Sequence, residues 1–185
     1  HWIVRGMNRK RLFHDQEDHS RFQSLVLQYR DLYRVKIHHY CQMTNHVHML
    51  LRTESLEALA GFSHYVQRRY AYSYCGKYKW NGSVFRQGYK SYAIDREEYL
   101  LECGRYIERN PVKAKMVKEV SEYAFSSYRF YAYGEADPML DCSPAFLALA
   151  VNPIARRELY AAYVNAVRVQ EEMMERGLLP VSEIA

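Results

Sequence analysis

Residues 35–53, VKIHHYCQMTNHVHMLLRT, set the architecture: they read as two apolar strands, VKIHHYCQM and HVHMLLRT, folded back on each other at Thr44-Asn45. Alternate side chains of a strand share a face, so His46, His48 and Leu50 point one way while Val47, Met49 and Leu51 point the other. One face can feed a core while the other presents two imidazoles, their Cα atoms roughly 6.5 to 7 Å apart. Both rings can converge on one ion, which makes the pair a candidate metal platform. A bland alternative stands beside it, because eight histidines in 185 residues also produce an H-x-H spacing by chance.

Upstream, HWIVRGMNR gives a short strand over about residues 2–6, a Gly/Asn turn, and then Arg9, Lys10 and Arg11 crowding its exit. From Asp18 to Tyr33 the positions Phe22, Leu25, Val26, Tyr29 and Leu32 recur at helical spacing. Downstream, Ser55 can cap a second helix whose apolar positions Leu59, Phe62, Tyr65 and Val66 lead towards Tyr72. After a turn at KWNGS the segment YKSYAID offers a fourth strand, and Asp95 with Glu98 makes a capping-box start for a third helix. That helix is expected to stop near Asn110, since the residue before Pro111 avoids the α region. The order β, α, β, β, α, β, α describes an α+β domain, an antiparallel sheet with helices packed on it, over residues 1–133. Ser143-Pro144 and Asn152-Pro153 each read as an N-cap followed by a first-turn proline, so residues 138–185 form a helical extension of two helices, the second ending near Arg176-Gly177.

Composition narrows the class. No run of eighteen apolar residues and no secretory leader is present, so the chain reads as soluble, cytoplasmic and without a membrane partner. Cys41, Cys75, Cys103 and Cys142 are scattered without a C-x-x-C pair, which fits reduced thiols. A net charge of +5 favours a polyanionic partner. The eighteen tyrosines suit stacking on unpaired bases, although tyrosine also fills ordinary half-buried positions.

Two imidazoles do not complete a site. In RYIERNP, Tyr106 and Asn110 are four residues apart and share a helical face, beside a stripe of Leu100, Cys103 and Ile107 that can pack on the sheet. By default Tyr106 is a boundary aromatic and Asn110 a residue of the helix end.

The linked motifs CQMTNHVHMLL, VFRQGYKSY, YLLECGRYIERNPVKAKMV and YAFSSYRFY, in this order, resemble the IS200-like single-tyrosine transposases, and most nearly their REP-associated branch. The resemblance implies a ferredoxin-like domain of the HUH endonuclease type acting on single-stranded DNA. His46, Val47 and His48 match the HUH motif, Tyr106 the nucleophile, and Asn110 the third metal-ligand position, where the transposases proper commonly carry Gln. It also implies a divalent cofactor, Mg²⁺ or Mn²⁺, a 5′-phosphotyrosine intermediate, and a ligand made of a REP-type hairpin beside a short unpaired guide. A nucleoid-associated location follows from such a partner. Arg68 and Arg69 interleaved with tyrosines, then Arg86, Tyr89 and Lys90, form one candidate nucleic-acid surface, whose bland alternative is a solvated helix face. Arg5, Asn8, Arg9 and Lys10 form another. Mobile IS200 relatives are implied dimers, whereas the extension here favours a monomer. Two rival readings are a hairpin-binding protein without turnover and a structural zinc site from Cys41, His46 and His48.

Overall fold

The computed structural model describes residues 1–86, 88–94, 96 and 98–166. Its strands are β1 (Trp2–Arg5), β2 (Lys36–Met43), β3 (His46–Arg52) and β4 (Lys90–Ser91). Its helices are α1 (Gln16–Leu32), α2 (Leu56–Tyr78), α3 (Glu98–Lys113), α4 (Tyr128–Tyr133), α5 (Pro144–Leu147) and α6 (Pro153–Asn165). The sheet is antiparallel in the order β2-β3-β1-β4. Because β3 pairs with both β2 and β1, the latter two run parallel with β3 between them and α1 as the crossover. This is the split βαβ arrangement of a ferredoxin-like domain.

The hairpin turns where the sequence places it, with Met43 opposite His46 and Cys41 opposite His48. Residues directly across a ladder share a face, so each side of the sheet can be read off the register. Trp2, Val4, Val47 and Met49 face Phe22, Leu25 and Val26 of α1 and Phe62, Val66 and Tyr70 of α2 in the main core. Cys41, Met43 and Leu50 face Cys103, Tyr106 and Ile107 of α3 in a second core on the opposite side. Covering both faces explains why β2 and β3 are buried along most of their length, on both sides, instead of alternating with solvent-facing charges. Each fully buried large side chain here is worth about 1.5–3 kcal/mol, so the two cores together lock β3 into its register.

Local signals fix most element ends. The Asp15 carboxylate accepts the Asp18 N–H at 3.0 Å to open α1, and the Ser55 hydroxyl accepts the Ala58 N–H at 3.1 Å to open α2. α2 continues past Tyr72 to Tyr78 and stops at Lys79, whose φ of 50° breaks the helix. The capping box expected at Asp95 lies outside the described residues.

Two expectations need correction. Among the described residues YKSYAID supplies Lys90–Ser91 to the sheet, opposite Ile3 and Trp2, with one further bond from the Tyr92 N–H to the His1 carbonyl at 2.9 Å. And α3 passes through Pro111 instead of ending before it. Proline removes the N–H that would bond the Ile107 carbonyl four residues back. The Asn110 side chain substitutes, its Nδ2 donating to the carbonyls of Ile107 at 3.2 Å and Tyr106 at 2.8 Å.

Beyond α3 the chain wraps onto its outer side. Tyr128, Tyr131, Phe146, Tyr160 and Val164 bury a third cluster there. Asn152 caps α6 by accepting from the N–H groups of Ile154 and Ala155, while α5 is one turn long and the Ser143 hydroxyl makes no capping bond. Arg105 Nε and Arg109 Nη1 of α3 donate to the carbonyls of Tyr163 and Val164, satisfying the last turn of α6. α6 closes at Asn165, and the expected end near Arg176-Gly177 lies outside the described residues.

Candidate functional site

β3 delivers His46 and His48 to the face covered by α3. Their ring centroids are 4.8 Å apart and nearly perpendicular. The ring of Tyr106, carried by α3, meets His48 edge-on at 5.9 Å, so the two imidazoles and the tyrosine come together at one place. His48 and Tyr106 are only 2 % and 3 % exposed, which keeps this meeting point low in dielectric.

The rings are held by specific partners. His46 Nδ1 bonds the Asn45 side-chain oxygen at 2.6 Å, and an amide oxygen only accepts, so Nδ1 carries the hydrogen and Nε2 the lone pair. His48 Nδ1 lies 2.9 Å from His1 Nε2, and the His1 ring stacks on it at 5.1 Å. Burial, reinforced by the charge of Arg5, pushes His46 down to about 4. Burial likewise carries His48 well below the ordinary histidine range, with His46, Arg5 and Lys113 adding to it. Both rings are therefore neutral at neutral pH, the form that can ligate a metal.

Asn110 lies one turn beyond Tyr106 on the same helical face, 9 % exposed. With its nitrogen committed to two main-chain carbonyls, its oxygen is the end left to accept or ligate. Two neutral imidazoles and an amide oxygen suit a divalent ion whose remaining positions are filled by phosphate oxygens or water. Among the described residues no group of three His, Cys, Asp or Glu side chains is placed to hold a metal. That removes the zinc reading, and burial holds the Cys41 thiol up while it contacts Met43 Sδ at 3.6 Å.

The basic residues divide. Arg68 of α2, Arg86 and Tyr89 line one cleft of about 460 Å³ with His64 and Gln67, so residues far apart in sequence form one surface. Arg69 turns away, its Nε donating to the Tyr29 hydroxyl at 3.3 Å, and Lys90 sits on the exposed edge strand. Arg5 stands opposite His46 in the ladder. Asn8 and Arg9 adopt left-handed backbone conformations, φ 49° and 60°, and Lys10 Nζ lies 3.0 Å above the Trp80 ring. The tyrosines are not one stacking array. Tyr70 and Tyr74 fill the core, whereas Tyr72 is 81 % exposed.

Sequence reading misses His1, Asn45 and Lys113. Lys113 is seven residues from Tyr106 and three from Asn110, a helical spacing that was available in the sequence. The contact of His1 with His48 needs the β1–β3 register, which local pattern does not reveal.

No curated protein matches the chain significantly. A solved structure of a REP-associated tyrosine transposase bound to a REP hairpin superposes with a TM-score of 0.62 at 18 % identity, covering 76 % of this chain and 82 % of the other. At that identity the likeness shows the fold. The family described as "Transposase IS200 like" matches residues 1–110, which include β1 to β4, the histidine pair, Tyr106 and Asn110. The chain belongs to the IS200-like transposase family.

Proposed function

We propose that the protein is a metal-dependent single-strand DNA nicking and joining enzyme that uses Tyr106 as nucleophile and acts at REP-type hairpins. The observation that carries this reading is the meeting of Tyr106 with two neutral, converging imidazoles on a buried sheet face. His46, His48 and Asn110 would hold Mg²⁺ or Mn²⁺, which when bound neutralises phosphate charge and orients the phosphorus. Tyr106 attacks that phosphorus, the Tyr106 O–P bond forms, and the P–O3′ bond breaks. The proton lost by the phenol balances the one gained by the departing 3′ oxygen. Since tyrosine ordinarily ionises near pH 10, positive charge at the site has to favour the phenolate. The phosphotyrosine link conserves the phosphodiester bond energy, so a 3′-OH can later displace Tyr106 and rejoin DNA without ATP. Arg68, Arg86 and Tyr89 give the cleft that tracks phosphates and stacks a base.

A second reading, hairpin binding without turnover, has one observation in its favour: Tyr106 is 97 % covered, so DNA must displace part of its surroundings to reach it. The test uses a labelled DNA hairpin with an unpaired flank, taken from repeats next to the coding sequence, incubated with Mn²⁺ and run on a denaturing gel. A covalent adduct that survives Tyr72→Phe and vanishes in Tyr106→Phe, with hairpin binding retained, supports the nucleophile. An adduct that persists in Tyr106→Phe removes it, and wild-type binding without adduct favours the second reading.

A further inference from the structure

We propose that Lys113 is a further catalytic residue, its ammonium holding the scissile phosphate and the Tyr106 oxygen during strand cleavage. The inference rests on the Tyr106 reading above.

Lys113 lies in the last turn of α3, where a lysine ordinarily needs only the helix dipole and water to explain it. Its Nζ is not in water. The atom is sealed from solvent and has no hydrogen-bond partner among the described residues. A flexible four-carbon stem at a helix end is free to swing outward, so an ammonium kept inside without an acceptor sits at a cost that no hydrogen bond among the described residues offsets. Burial accordingly lowers its proton affinity. Something anionic is the natural complement.

Its position says which anion. Seven residues bring Lys113 back to the face of Tyr106, and helical side chains tilt towards the N-terminus. The stem therefore runs back along the turn of Asn110 and places Nζ 5.9 Å from the centre of the Tyr106 ring. Its charge is also felt at His48, alongside that of Arg5. Arg5 approaches from β1 and Lys113 from α3, so two cations from different elements flank the neutral histidine pair. A phosphodiester entering between them brings one negative charge, and attack by phenolate adds a second as the pentacovalent state forms. Lys113 keeps its protons throughout, donating hydrogen bonds to a non-bridging or entering oxygen, where pre-placed donors have most effect.

The test uses the full chain and the same hairpin oligonucleotide, prepared with the ordinary phosphodiester or an uncharged methylphosphonate at the cleavage point mapped from the wild-type adduct. Lys113→Met should slow adduct formation about a hundredfold while leaving the melting temperature unchanged or raised, and Lys113→Arg should recover part of the rate. In a Tyr106→Phe background, where nothing turns over, the methylphosphonate should weaken binding by about tenfold, the effect of one charged hydrogen bond. In Tyr106→Phe/Lys113→Met that preference for the charged oligonucleotide should shrink, the remainder belonging to Arg5 and the metal. A Lys113→Met protein that cleaves at the wild-type rate, melts lower, or discriminates the two oligonucleotides as strongly as the Lys113 protein overturns the inference and leaves the nucleophile assignment standing. Absence of any Tyr106-dependent adduct overturns both.

Discussion

Tyr160→Phe is a one-atom change with a calculable cost. Glu108, on α3 two residues from Tyr106, is fully buried, and its carboxylate is met from three directions. Ser127 Oγ donates to Oε1 at 2.6 Å, His39 Nδ1 lies 3.0 Å from the same oxygen, and the Tyr160 hydroxyl donates to Oε2 at 2.7 Å. Tyr160 belongs to α6, so this bond fastens the C-terminal extension to α3. Replacing it by Phe leaves shape and apolar area unchanged but strips Oε2 of its one hydrogen-bond donor among the described residues. A lost hydrogen bond to a charged group costs about 1.5–3 kcal/mol, and the upper half applies because the oxygen is left buried and unpaired. For a chain of this size that is roughly a 5–10 °C fall in Tm. Urea unfolding followed by circular dichroism measures it, with an unchanged m-value showing that the native state is still compact. A Tyr160→Phe loss below about 0.5 kcal/mol would mean that the extension is not anchored through Glu108.

Other outcomes follow from the same geometry. Arg68→Ala and Arg86→Ala should each weaken single-stranded DNA binding and reduce the salt slope by about one unit, while Arg69→Ala, which faces Tyr29, should leave the slope alone; filter binding across a salt series decides between them. His46 holds a folded-state value near 4 against an ordinary 6.5, so between those limits the unfolded chain binds a proton that the folded chain refuses. Stability from this group is complete above pH 6.5 and falls as pH drops towards 4, by at most about 3 kcal/mol, and His46→Asn should flatten that part of a urea-derived stability profile. Asn110→Ala should cost about 1 kcal/mol by orphaning the Ile107 carbonyl, and Pro111→Ala in that background should recover most of it by restoring a main-chain N–H. Zero coupling in that double-mutant cycle would show that the amide does not stand in for the missing donor.

Much of this was legible because the informative signals are local. The hairpin turn at Thr44-Asn45, the caps at Ser55 and Asn152, and the shared face of Tyr106 and Asn110 each follow from a few consecutive residues. The failures arise where a side-chain bond or a distant partner overrides local preference. Pro111 reads as a stop, and becomes a helix residue only because a neighbouring amide bonds the carbonyl it strands. YKSYAID has strand composition, but how much of it pairs depends on β1, about ninety residues away. The arginines 68 and 69 are indistinguishable in sequence, and only the packing of α2 on α1 sends one into the cleft and the other to Tyr29. His1 becomes a partner of His48 through a register set forty-seven residues away.

Asn45 shows how little separates the fold from the site. Its main-chain carbonyl accepts the Gly6 N–H at 2.8 Å, its Nδ2 donates to the Arg9 carbonyl at 3.3 Å, and its Oδ1 fixes the tautomer of His46. One turn residue thus ties the basic 6–10 loop to the orientation of a proposed metal ligand. The loop in turn closes tightly enough that a Cβ on Gly6 would lie 2.1 Å from the Lys10 carbonyl oxygen, a distance no side chain tolerates, so only glycine permits the turn. The placement of Arg9 and Lys10 and the orientation of the His46 ring are consequently properties of one hydrogen-bonded unit. Displacing that loop has to disturb the imidazole, because the same amide holds both.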